Sequence, residues 1–131
     1  DDLAERSIRY FHLHQSLNYH YFVSHENILR LGKETNAVFA AYFPNKQNGK
    51  TFLLLIQYSA RKRAEEALKS FTRAYMPESS GSRIIQTENG RWVAAQSHQE
   101  FVIVVFDALL QQKATELIQM TIHKLETRKP K

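Results

Sequence analysis

The sequence predicts an α+β fold: a largely antiparallel sheet of about five or six strands, two long helices packed on one face, and a short N-terminal helix. Asn-Gly pairs at 48–49 and 89–90 each separate two β-like runs, which is the strongest short-range signal for a hairpin. Residues 60–75 and 107–125 instead carry apolar side chains at helical spacing. Hairpins pair neighbouring strands in antiparallel fashion, so the whole sheet is expected to be mostly antiparallel.

The N-terminal part is predicted to form one strand and the short helix. Residues Ile8 to His14 alternate between two faces, as a strand does. Ser24 is a favourable helix N-cap, and Gly32 suits the position just after a helix C-terminus. A short helix is therefore expected between these two residues.

The remaining elements are two hairpins, a further strand and the two long helices. Asp107 is expected to cap the last helix. The predicted bounds are 37–43, 51–58, 83–88, 91–98 and 101–106 for the strands, and 60–75 and 107–125 for the long helices.

Composition and motifs exclude several classes of function. The length favours one domain over 1–131, with a basic tail at about 127–131. There is no cysteine, so there is no disulfide, thiolate nucleophile or Cys metal site. Gly-rich phosphate loops, a GxSxG motif and apolar runs of membrane-spanning length are also missing from the sequence. Because no nucleophile, base and orienting residue can be assembled, we predict that the protein is not an enzyme and needs no cofactor.

The stretch YFHLHQSLNYHYF, residues 10–22, combines five aromatic residues with three histidines. On a strand, His12 and His14 would share a face about 7 Å apart, and His20 is near enough in sequence to be a third metal ligand. No Asp or Glu lies between residues 6 and 25. Packing is therefore the favoured interpretation, and a metal or small-ligand site is the alternative.

The net charge of +5 raises a weaker alternative, single-stranded nucleic-acid binding. Tyr10, Tyr21 and Trp92 are candidate stacking residues, and Arg61 and Arg63 of the RKR triplet are candidate anion ligands. The charge is dispersed and no RNP-like motif is present. We favour packed aromatics and a solvated helix face, and we predict no specific binding to nucleic acid.

The strands at 51–58 and 101–106 are apolar on both sides, whereas a half-exposed antiparallel strand alternates apolar with polar residues. Two helices on one face would leave the other face uncovered. The predicted cover is an N-terminal wedge around Phe11, Tyr19 and Phe22, an identical sheet in a homodimer, or another protein partner.

Taken together, five segments resemble a family of uncharacterised bacterial exported proteins that are periplasmic or lipoprotein-like. These segments are RYFHLHQSLNYHYFVSHENILRL, TNAVFAAY, LLLIQY, ENGRWVAA and FVIVVFDA. The resemblance covers nearly all of the chain, but Ser59 stands where the family usually has Pro. It implies a periplasmic or envelope location and lends no catalytic residue. The opening DDLAERS has no signal-peptide pattern, and the composition is also compatible with the cytoplasm.

The sequence thus predicts a non-catalytic binding or assembly module, exported by resemblance, whose partner is unknown. The metal or small-ligand site and single-stranded nucleic-acid binding remain as alternatives.

Overall fold

The computed structural model describes residues 8–21, 23–42, 50–79 and 81–127, without the side chains of residues 19 and 20. The strands are β1 (Arg9–Phe11), β2 (Asn36–Tyr42), β3 (Thr51–Gln57), β4 (Ile84–Gln86), β5 (Trp92–His98) and β6 (Phe101–Ala108). The helices are α1 (His14–His20), α2 (Arg61–Tyr75) and α3 (Gln111–Thr127), and a short 3-10 turn spans Pro77–Ser79.

The six strands form one sheet in the order β1-β2-β3-β6-β5-β4, and every neighbouring pair is antiparallel. The predicted α+β class and the antiparallel sheet are confirmed. The two hairpins, β2–β3 and β4–β5, also lie where the sequence placed them. Residues 43–49, including the first Asn-Gly turn, lie outside the described part of the chain.

The two long helices pack on opposite faces of the sheet. Val102, Val104 and Phe106 of β6 belong to the core that contains α2, whereas Ile103 and Val105 belong to the core that contains α3. The prediction of both helices on one face is therefore wrong. Because the central strand β6 is apolar on both sides, it needs one helix on each face to exclude water from its side chains. We call the α2 side the first face and the α3 side the second face.

Phe11 of the predicted wedge packs on the first face, so it does not cover the second one. Phe11 and Leu17 are buried in the same core as α2. Tyr21 packs against Phe39 and Phe52 of that core. The side chain of Tyr19 and the whole of residue 22 lie outside the described residues.

The short helix predicted from Ser24 to Gly32 is wrong, and the predicted first strand is too long. The strand ends at Phe11, and the helix of this region is α1, which begins at His14. Between 24 and 32 the chain forms turns, because the Asn27 side chain bonds both the N–H and the C=O of Leu31, at 2.9 and 2.8 Å. Such local side-chain bonds compete with a helix. Arg30 has a left-handed φ of 56° that a helix does not tolerate.

Asp107 does not cap the last helix as predicted. It lies within β6, and the first turn of α3 closes on Leu110, whose carbonyl accepts the N–H of Lys113 and of Ala114. A bulge in β6 explains why Asp107 lies in the strand and α3 begins later than predicted. Trp92 faces Ala108 and Ala94 faces Val105, so two residues of β6 stand opposite one residue of β5.

Candidate functional site

Part of the second face, beyond α3, presents apolar side chains to solvent. Cross-strand pairing places Tyr10, Val38 and Leu55 in one row across β1, β2 and β3, and Leu53 lies on the same side of β3. Tyr10 is 77% exposed, and the other three are half-buried, whereas Ala40 on this face is buried. We call Tyr10, Val38, Leu53 and Leu55 the open half of the second face.

Helix α3 borders the open half with one of its flanks. Glu126 lies 3.5 Å from His98 of β5, so that flank of α3 faces the β5 side. With 3.6 residues per turn, Leu110, Leu117 and Met120 fall on the opposite flank, toward β3. Leu110 is 60% exposed and Met120 is 36% exposed.

Exposed apolar side chains concentrate around the open half. The large hydrophobic residues exposed within the described part of the chain are Tyr10, Leu13, Leu110 and Met120. Tyr10 belongs to the open half, Leu110 and Met120 lie just before and within α3, and Leu13 precedes α1, whose Leu17 packs on the first face. Large exposed apolar patches on soluble proteins mark interaction sites more often than isolated residues do.

The histidines predicted as metal ligands bind different partners. The His12 Nδ1 atom lies 2.6 Å from the Thr35 carbonyl oxygen, and His14 Nε2 lies 3.1 Å from the Asn18 amide nitrogen. His12 follows β1 and His14 begins α1, so they do not share a strand face as predicted. Within the described residues, no group of three or more His, Cys, Asp or Glu could hold a metal ion. The side chain of His20 lies outside that part of the chain.

Tyr21 instead reaches Asp107, the residue that was predicted to cap the last helix. The Tyr21 hydroxyl donates a hydrogen bond to Asp107 Oδ2 at 3.2 Å. Strict alternation along β6 would place Asp107 on the second face with Val105. The bulge, with Asp107 at a left-handed φ of 62°, turns it toward Tyr21 at the end of the first face. A bulge leaves no clear signal in an apolar run, so the sequence did not reveal this contact.

The phenols beside Asp107 remain protonated. Burial is the main cause that raises the pKa of Tyr21, and the neighbouring Tyr75 and Asp107 raise this pKa further. Burial and Asp107 also raise the pKa of Tyr75, while its hydrogen bond with Tyr21 acts in the opposite direction. Both rings pack against Phe106, with centroids 4.6 and 5.8 Å away. As neutral phenols, Tyr21 and Tyr75 donate hydrogen bonds and do not act as bases. Their contacts with Asp107 and Phe106 stabilise this end of the sheet.

The other predicted binding residues lie apart from one another. Trp92 packs against the core that contains α3, whereas Tyr10 is on the far strand β1. Arg61 and Arg63 are exposed in the first turn of α2. Arg63 lines a polar cavity together with Arg30. The structure therefore does not assemble Tyr10, Trp92 and the RKR arginines into one surface for nucleic acid.

Comparison with known proteins gives no assignment. None of the described helices is both long and apolar enough to cross a membrane. No family model, curated protein or solved structure matches the chain.

Proposed function

We propose that the protein is a non-catalytic assembly module that forms a homodimer through the open half of its second face. The observation that carries the proposal is the exposure of Tyr10 within that surface and of Leu110 and Met120 on the adjacent flank of α3. Burying such side chains contributes about 25 cal/mol per Å² of apolar area removed from water.

The occupant that fits best is a second copy of the chain. On the second face, one helix packs on a sheet wide enough to place a second helix beside it. The flank of α3 toward β3 carries a partly apolar ridge: Leu110, just before the helix, and Met120 are exposed, and Leu117 is half-buried. The exposed Lys113 and Lys124 lie on the same flank, and the apolar side chains of the ridge can cover those of the open half. The ridge and the open half lie side by side on one surface. In a twofold dimer the ridge of each chain can therefore pack on the open half of the other, which makes the surface self-complementary.

Sedimentation equilibrium at micromolar concentration tests the dimer. Wild-type protein should have twice the 15.3 kDa chain mass, and Tyr10→Lys/Met120→Lys should shift it to the monomer. Leu13→Lys is the matched control, because Leu13 is 44% exposed and precedes α1, whose Leu17 packs on the first face. A wild-type monomer, or equal loss of the dimer in the control, would contradict the proposal.

The resemblance to exported bacterial proteins supports a periplasmic or envelope location for this assembly. Cell fractionation of the full-length gene product is the test. A cytoplasmic product without a cleaved leader would contradict it.

A further inference from the structure

A polar groove runs between helix α2 and the segment 24–35, away from the open half. Two adjoining cavities of about 140 and 470 Å³ share Arg30 and Glu66 in their walls. Arg63 lines the smaller cavity, and Lys69 and Arg73 line the larger one. The larger volume is within the range of small-molecule sites.

The groove is charged and its charges are not paired with one another. Its basic residues are Arg30, Arg63, Lys69 and Arg73, and its acidic residues are Glu26, Glu34 and Glu66. None of the seven forms an ion pair with another residue that the structure describes. Glu66 lies on α2 three residues from both Arg63 and Lys69, so a ligand in the groove meets both kinds of charge on the same wall.

The wall that carries Arg30 is held rigidly. The buried Tyr58 hydroxyl donates a 2.6 Å hydrogen bond to the Leu29 carbonyl, and Asn27 bonds both backbone groups of Leu31. These contacts fix the backbone on either side of Arg30, whose left-handed φ is 56°. Strained backbone of this kind concentrates at ligand clamps. A wall fixed before binding loses little conformational entropy when a ligand arrives.

The dimensions of the groove favour a peptide. Arg63 and Arg73 are ten residues apart on α2, which is about 15 Å at 1.5 Å per residue. An extended chain of four or five residues spans the same length at about 3.3 Å per residue. A single phosphate would reach only one end.

We propose that this groove binds an extended acidic peptide segment. Side-chain carboxylates of the segment pair with Arg63 at one end of the groove, with Lys69 and Arg73 at the other, and with Arg30, which lines both cavities. The backbone N–H groups of the segment donate to Glu26 and Glu66. The mixed charge of the walls matches a peptide, which offers anions and N–H donors together. The site is separate from the open half and does not depend on the dimer.

Fluorescence anisotropy with a labelled pentapeptide of glutamate and glycine tests the proposal. Wild-type protein should bind it saturably, and Lys69→Gln/Arg73→Gln should weaken binding about five- to tenfold, as expected for two partly exposed ion pairs. Lys113→Gln/Lys124→Gln removes the same charge from exposed positions of α3, on the opposite face of the sheet. This control should change the dissociation constant by less than about twofold, because screening limits charge effects beyond about 8 Å.

Three outcomes would overturn the proposal: no saturable binding, equal weakening in both double variants, or tighter binding of inorganic pyrophosphate than of the peptide. Lys69 and Arg73 are exposed, so far-UV circular dichroism should show both variants folded. Arg30→Gln provides an independent variant on the opposite wall and should weaken binding as well. Met120→Lys should leave peptide binding unchanged, which separates this test from that of the dimer.

Discussion

Replacing Asp107 separately tests its backbone conformation and its side-chain contact. The residue adopts a φ of 62° and accepts the Tyr21 hydroxyl at 3.2 Å. A left-handed conformation costs an ordinary L-residue about 1–2 kcal/mol, and costs Gly, Asn and Asp less. A hydrogen bond to a charged group contributes about 1.5–3 kcal/mol, and the lower end applies to this half-buried carboxylate.

These two contributions predict a ranking of variants. Asp107→Ala loses the hydrogen bond and acquires the backbone cost, so the free energy of unfolding should fall by about 2–3 kcal/mol. Asp107→Gly loses the hydrogen bond but tolerates the conformation, so it should lose about 1 kcal/mol less than the Ala variant. Asp107→Asn retains an acceptor and should lose least.

Urea unfolding at one fixed protein concentration measures the ranking. Trp92, the single tryptophan, supplies a fluorescence signal from the α3 side, and circular dichroism reports on the whole chain. Tyr21→Phe controls for the hydrogen bond alone, since it leaves the backbone of Asp107 unchanged. If the Ala variant is as stable as the Gly variant or more so, the left-handed bulge does not determine stability and the reasoning is refuted.

Three further predictions concern the tyrosines and nucleic acid. Burial raises the folded-state pKa of Tyr21 and Tyr75 above the ordinary 10.0, so the unfolded chain loses these protons first and stability should fall as pH rises above about 10. The Tyr21→Phe/Tyr75→Phe variant should show a shallower decline in urea titrations between pH 9 and about 11. Tyr58→Phe leaves the Leu29 carbonyl without its donor and should lower the free energy of unfolding by about 1–3 kcal/mol; an unchanged urea midpoint would contradict this. Binding to single-stranded nucleic acid should be weak, steeply salt-dependent and insensitive to Trp92→Ala, and tight binding retained in high salt would disprove that.

Local sequence patterns were sufficient for most of the secondary structure. The strands at 36–42, 51–57, 92–98 and 101–108 and helix α2 lie within a few residues of their predicted bounds. Strand alternation, helical spacing and the second Asn-Gly pair are short-range signals, and they do not depend on how the elements pack. The same patterns showed that β3 and β6 need cover on both faces.

The predictions for the N-terminal third were wrong because side-chain hydrogen bonds, some local and some between distant residues, determine its structure. Ser24 and Gly32 match helix caps, but the Asn27 side chain bonds the backbone of Leu31 and prevents the helix. His12 and His14 looked like neighbours on a strand until Thr35 and Asn18 proved to be their partners. Thr35 lies 23 residues away from His12, and no periodicity in the sequence relates two such positions.

By itself, the sequence determined that a central antiparallel sheet would be apolar on both sides, because the residue types of β3 and β6 allow no polar face. Only the tertiary structure decided that α2 and α3 cover opposite faces, that the N-terminal segment joins α2, and that Asp107 turns toward Tyr21. An amphipathic helix has one apolar stripe, and that stripe fits either face of such a sheet equally well. Which face each helix covers depends on the segments that connect it to the sheet, and the direction of Asp107 depends on the bulge in β6. Both are stabilised by contacts between distant parts of the chain.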